Sequence, residues 1–254
     1  MLIMAGNSGG FTHGAPWNPS KLFLSDELGG RYDPSDLSTM FKDADQLIPV
    51  AVDGDVVRVM LDKSGNGFDV TALPGKGPIY RTDGVKHWLS FNGVDQELGC
   101  IHGETIGDFL VCGAGREEGR VNGAFYGAGV PIISPYENML SAIVPWSDGN
   151  YYFDTDNLAD GRITGVWPKS VGDDVVISHV RSGTAIEAFE GSSSLGTLTN
   201  GGSITPPNTA IYLGSAGGVN YYKGRLYGLV MVFDSKTDLD RANLETYMAD
   251  KAGV

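Results

Sequence analysis

The chain has 254 residues, of which 37 are glycine, 41% are hydrophobic and 19% are charged. That is enough for one large or two small domains with a full core, and many glycines with few charges suit a β protein rich in tight turns better than a helix bundle. Its 18 basic and 31 acidic side chains give a net charge of −13, which argues against a nucleic-acid partner and against an anionic membrane surface. The acidity favours solubility and leaves carboxylates that could hold calcium.

In chain order, residues 1–20 are rich in Gly, Ser, Asn and Pro and read as an arm. Phe11 and Trp17 are apolar anchors that a purely solvated tail would not need, so the arm is expected to dock the protein on neighbouring subunits. Gly6-Asn7-Ser8-Gly9-Gly10 fits G-x-S-x-G but has no strand before it, so no nucleophile elbow is expected. The opening lacks a basic region and a long enough apolar run for a secretory signal. No run approaches the 18 apolar residues of a membrane-spanning helix. Synthesis in the cytoplasm is expected, followed by use there or release by lysis.

Residues 21–45 carry helical hints, with Leu37, Met40 and Phe41 at i, i+3, i+4. Asp53-Gly54 and Gly65-Asn66-Gly67 are turn signals that bracket a short strand, "VVRVMLD". From residue 85 the pattern is β throughout. Short apolar segments such as "HWLSF", "DFLVCGA", "NYYFD", "DVVISHV" and "AIYLGS" are punctuated by Gly, Pro, Asn or Asp, the spacing of a sandwich or barrel. "RLYGLVMVF" is apolar on both faces and reads as a central, doubly covered strand. No longer repeat stands out. The closing helix has Thr237 as N-cap, Asp240 at N3, a Leu244, Tyr247 and Met248 stripe, and Gly253 at the C-cap position. It is expected to pack on the sandwich edge.

Catalytic signals are sparse. A retaining sandwich glycosidase needs two carboxylates close together on one strand face, and no Glu-x-Asp-x-Glu run exists. Glu187 and Glu190 are three apart, so strand alternation sends them to opposite faces. Asp154, Asp156 and Asp160 begin like a calcium loop, but no Glu closes it. Asp148, Asp154 and Asp156 remain candidate calcium ligands beside the plainer reading of a solvated loop. His13, His87, His102 and His179 lack zinc-ligand spacing, and His179 reads as a structural strand residue. Cys100 and Cys112 read as buried thiols, with a bridge open if their segments pair. Trp146, Tyr151, Tyr152, Trp167, Tyr221 and Tyr222 lie beside turns. Such rings can cover a sugar, contact a partner or simply pack.

"FNGVDQEL", residues 91–98, resembles the F-D-G-x-D-D-x-L element of the concanavalin A-like, laminin-G-type sandwich family, where it turns the first strand into the second. Residues 210–253 resemble that family's closing pattern, with Tyr222, Gly224, Leu226 and Phe233 in its fixed places. Together these elements bracket residues 85–253. Residues 31–81 resemble a segment found ahead of this sandwich in proteins of tailed phages and prophages, carrying "RYDPSD", "DGD" and "DKSGNG". The chain departs from it at Met60, where relatives carry Trp.

The resemblance implies an all-β, concanavalin A-like (jelly-roll) β-sandwich over 85–254. It would have an arm over 1–20, a family-specific segment packing on it over 21–84, and a short C-terminal helix. The first function expected is a non-enzymatic virion component on capsid or tail, made in the bacterial host's cytoplasm. It would be a homo-oligomer contacting other virion proteins, with no cofactor expected; calcium at the acidic loop stays open from the spacing of the aspartates, beside the plainer solvated loop. A glycan-binding adhesin for host attachment is the alternative, and a polysaccharide hydrolase the remote one. The fold by itself decides none of these.

Overall fold

The computed structural model describes residues 17–129, 139–156, 161–199, 204 and 209–254. Its early strands are β1 (Gly29–Tyr32), β2 (Met40–Phe41), β3 (Val59–Met60), β4 (Val70–Thr71) and β5 (Ile79–Thr82). They are followed by β6 (His87–Asn92), β7 (Leu98–Ile101), β8 (Phe109–Glu117), β9 (Tyr126–Gly129), β10 (Met139–Ile143) and β11 (Asn150–Asp156). The later elements are β12 (Arg162–Val166), β13 (Asp174–Ser182), β14 (Ala185–Glu190), β15 (Ser193–Thr199), β16 (Ala210–Leu213), β17 (Lys223–Val232) and the helix α1 (Asp238–Ala252).

An eight-stranded sheet runs β15-β14-β13-β8-β17-β6-β5, with β1 also on β17. A nine-stranded sheet runs β12-β11-β10-β9-β16-β7-β4-β3-β2. Both are antiparallel, and their inner faces close on one core that includes Leu89, Leu98, Phe109, Phe125, Phe153 and Met231. This is the all-β, concanavalin A-like sandwich expected from the sequence.

β17 lies at the centre of its sheet and is covered on both sides, as its pattern predicts. Leu226, Leu229 and Met231 face the inter-sheet core, while Tyr227, Val230 and Val232 face outward. A bulge between Leu226 and Gly228 keeps both sets in phase. The outward set is covered by α1 through Leu244, Met248 and Ala252. The helix therefore lies across the outer face of β8, β13 and β17, not on the sandwich edge. Three apolar strands side by side leave an outer surface that only a helix-sized cover can bury. Its ends form as expected, with a Thr237–Asp240 capping box and Gly253 left-handed at φ 72°.

The segment over 21–84 contributes strands to both sheets. β1 and β5 extend the eight-stranded sheet, and β2, β3 and β4 extend the other. Where helical hints were read, Leu37–Thr39 is a single 3-10 turn and Met40–Phe41 is a strand. The "DKSGNG" element is a clasp between the layers. Asp62 accepts from the Arg31 backbone N (2.8 Å), the Ser64 N (2.8 Å) and the Phe68 N (3.2 Å), and Asn66 donates to the Glu27 and Gly29 carbonyls (3.0 Å each).

The two cysteines cannot pair. Cys100 lies in the nine-stranded sheet, and Cys112 lies on the other sheet beneath α1; both are free.

The "FNGVDQEL" turn carries the chain from β6 in one sheet to β7 in the other. Asn92 Oδ1 accepts from the Val94 N (2.8 Å) and the Asp95 N (3.2 Å), and Gly93 takes φ 75°. A Cβ at Gly93 would also come within 2.7 Å of Lys223 Cβ. Gly93→Val is therefore expected to destabilise by about 1–3 kcal/mol through backbone strain alone. A melting temperature equal to that of the parent would show that the turn relaxes.

Candidate functional site

The six turn-flanking aromatics divide into two sets of three. Tyr151, Trp167 and Tyr222 are buried core residues, so of the three roles open to such rings these take plain packing. Tyr222 packs edge-on against Phe125, and Trp167 edge-on against Tyr151. Burial pushes the Tyr222 hydroxyl's pKa well above its ordinary value. Trp146, Tyr152 and Tyr221 are half-exposed.

These three share one rim. Tyr151 and Phe153 face the core, so alternation turns Tyr152 outward. Trp146 meets it edge-to-face at 6.3 Å and 83°, and both pack on a small cluster of Ala124, Ile143 and Ala216. Ala124 in turn bridges to Tyr221. The turn from 146 to 150 is rigid: the Trp146 N donates to the Asn150 carbonyl (2.8 Å) and the Gly149 N to the Trp146 carbonyl (2.9 Å). At the far end of the rim, Glu97 accepts from the Gly218 N (2.9 Å) and from Ser215 Oγ, fixing the loop before Tyr221.

The acidic residues read as calcium ligands are otherwise engaged. Tyr152 Oη donates to Asp148 Oδ2 (2.6 Å), and Asp148 also accepts from the Asn150 backbone (2.8 Å). These bonds hold its pKa below the usual carboxylate range. Asp154 is fully buried, accepts a two-pronged contact from Arg162 (2.5 and 2.9 Å) and faces Ser141 (3.3 Å). Burial works against the Arg162 charge, but Asp154 outweighs it and the pKa is raised. Asp156 ends β11 at φ 64°; Asp160 lies outside the described residues. Among the described residues no group of three metal-ligating side chains forms. The expected calcium set is not assembled, because Asp154 already has a cation of its own.

Arg162, held by Asp154, stacks over Tyr152 with its guanidinium carbon 4.6 Å from the ring centroid. The rim thus offers two aromatic surfaces, a fixed carboxylate at Asp148, the Asn150 amide and a guanidinium. It can stack an apolar face and exchange hydrogen bonds with hydroxyls in both senses.

The other sequence candidates sit apart. Phe11 lies outside the described residues. Trp17 packs edge-on against Tyr247 of α1, at 6.4 Å, within its own chain. Glu190 pairs with Lys169 at 3.1 Å. His179 is structural, as its strand position suggests: buried between the sheets, it faces Tyr126 Oη and Thr155 Oγ1, each at 3.0 Å. One residue had no sequence signal. Glu117 is buried with neither carboxyl oxygen hydrogen-bonded, and burial raises its pKa.

No family model matches the chain, and no curated protein matches it. Solved structures do. Domain 4 of an extracellular arabinanase from Geobacillus stearothermophilus, in complex with arabinotriose, aligns with a TM-score of 0.61 at 16% identity, over 86% of this chain and 98% of that one. An α-L-arabinofuranosidase soaked with 4-nitrophenyl α-L-arabinofuranoside aligns with a TM-score of 0.55 at 13% identity, over 93% of this chain and 65% of that one. An arabinofuranosidase complexed with arabinofuranosyl-α-1,2-xylobiose gives 0.54 at 13% identity, over 78% and 51%. At such identities the likeness is one of fold.

Proposed function

We propose that the chain is a non-catalytic carbohydrate-binding β-sandwich. The observation that carries this is the half-exposed Trp146–Tyr152 pair, locked by Asp148 and topped by Arg162. Sugar-bound structures among the fold relatives support it. The non-catalytic part rests on engaged carboxylates: Asp154 faces Arg162, Asp174 faces Arg116 and Glu190 faces Lys169, so none of these is free to shuttle a proton. Trp146→Ala is expected to weaken binding to an oligosaccharide identified on a glycan array by at least about tenfold, the scale of losing one aromatic anchor. Titration calorimetry measures it, and full affinity in the variant would refute the rim as the site.

A second reading, display on a tailed-phage particle, has one structural observation in its favour. The loop between β2 and β3 exposes Leu47, Ile48 and Val52, of which Leu47 is 78% exposed. Asp43 accepts from the Leu47 and Ile48 N–H groups, and Asp55 from the Ala51 and Val52 N–H groups, so the apolar knob is held rather than loose. A rigid exposed apolar patch suits a docking contact with another virion protein. Leu47→Asp is expected to leave the melting temperature unchanged and to remove the protein from purified particles. Normal incorporation would sink this reading.

A further inference from the structure

A groove of about 520 Å3 lies far from the rim, on the side covered by α1. Its walls are Trp17 and Asn18, the β5–β6 turn at Val85 to His87, and the last turns of α1 from Tyr247 to Gly253. The volume falls within the roughly 300–1,000 Å3 of small-molecule sites.

Its chemistry is mixed in a specific way. Trp17, half-exposed, forms an aromatic corner with Tyr247. Lys86 and Lys251 bring ammonium donors, Asp250 a carboxylate, and Asn18 and Ser35 small polar groups. Most of these are held by a second residue. Asn18 Oδ1 accepts from the Ser20 N (2.9 Å) and from Arg31 Nη1 (3.0 Å). Lys251 donates to Asp33 (2.6 Å) and Ser35 Oγ (2.5 Å). Lys86 donates to Asp174 (3.1 Å), and a Cβ added at Gly253 would sit 2.6 Å from its Cε. Walls fixed before the ligand arrives lose little freedom on binding.

The charge pattern selects the ligand class. Each ammonium already faces a carboxylate, Lys251 with Asp33 and Lys86 with Asp174. An anion would find both positive charges already balanced and gain little net attraction, whereas neutral hydroxyls can use the remaining lone pairs and N–H groups. A flat apolar surface with donors and acceptors around it suits a polyhydroxylated ring. We propose that this groove is a second binding site, for a short neutral oligosaccharide, independent of the Trp146 rim.

The chain has four tryptophans, so labelling with fluorotryptophan reads both sites at once by fluorine NMR. Trp17→Phe and Trp146→Phe assign the two reporter resonances. The protein is titrated with arabinotriose, xylotriose, maltotriose and chitotriose, each to about 10 mM, above the roughly millimolar Kd of a weak ligand site. The expected result is saturable movement of the Trp17 resonance with at least one of these sugars. Val85→Arg, at a lip position 85% exposed, should abolish that movement while leaving the melting temperature unchanged. A Trp17 resonance fixed for every sugar overturns the proposal, as does movement that survives Val85→Arg. Movement at Trp146 alone keeps the rim and removes the groove; movement at Trp17 alone does the reverse.

Discussion

Acidification from pH 6.5 to pH 3 is expected to remove about 4 kcal/mol of stability through His179 alone. Burial pushes its pKa down from 6.5 to about 3. Between those values the folded imidazole stays neutral while the unfolded one takes up a proton. The unfolded state therefore binds more protons, and stability falls as pH falls; it is fully present above pH 6.5. His102, held at about 4 by burial, acts in the same direction. The contribution should be visible between pH 6.5 and 5, before most carboxylates titrate. Thermal melts across that window measure it. His179→Gln keeps a polar group opposite Tyr126 and Thr155 and should flatten the dependence. A slope identical to that of the parent would show that the imidazole charges in the folded protein.

Asp62→Ala is expected to cost about 3 kcal/mol or more, since it strips an ionised acceptor from several N–H groups at once. For a domain of this size that is a fall of roughly 6–12 °C in melting temperature. The Arg31 N–H on β1 and the Phe68 N–H in the loop before β4 would both lose their acceptor. Asp62→Asn, which keeps one acceptor oxygen, should lose less. Equal melting temperatures for the parent and the alanine variant would mean that water replaces the carboxylate and that the pairing with β17 and the remaining bonds to Gly29 and Arg31 hold β1 without it.

Much of the architecture is legible in local pattern. The doubly apolar run at 225–233 forecasts β17, the Thr237–Asp240 spacing forecasts the start of α1, and Asn92-Gly93 forecasts a left-handed turn. The position of α1 is not legible, because its apolar stripe says only that it must cover something. Which strands leave a second apolar face appears only once β8, β13 and β17 are known to be neighbours.

The aromatic site shows a similar limit. In Tyr151-Tyr152, strand alternation requires one ring to face inward, and in Tyr221-Tyr222, just ahead of β17, the second ring packs into the core. The first choice is set by Phe153 on the same strand, and the second by the contact of Tyr222 with Phe125. Trp167 follows β12 and is buried by Tyr151 from the neighbouring strand, a long-range contact. The Asp154–Arg162 pair depends on the β11–β12 register, which no local pattern gives. The "DKSGNG" motif is conspicuous in the sequence, yet its role as a clasp on β1 depends on a bond from Arg31, more than two dozen positions earlier.

The order in which the chain is made sets a constraint on its assembly. β17 is the last strand, yet it sits between β8 and β6 and also pairs with β1. Until residue 232 has left the ribosome, the eight-stranded sheet is two separate pieces: β15-β14-β13-β8 on one side and β5-β6 on the other. β1 has no strand to pair with during that interval. The unpaired edges of β8 and β6 stay open while more than a hundred residues are added, and closing them joins positions far apart in sequence, which is slow. Open edges of this kind invite pairing between nascent copies. A truncation before residue 223 would remove the strand that joins the two halves. Its expected product is an aggregating chain rather than a smaller sandwich.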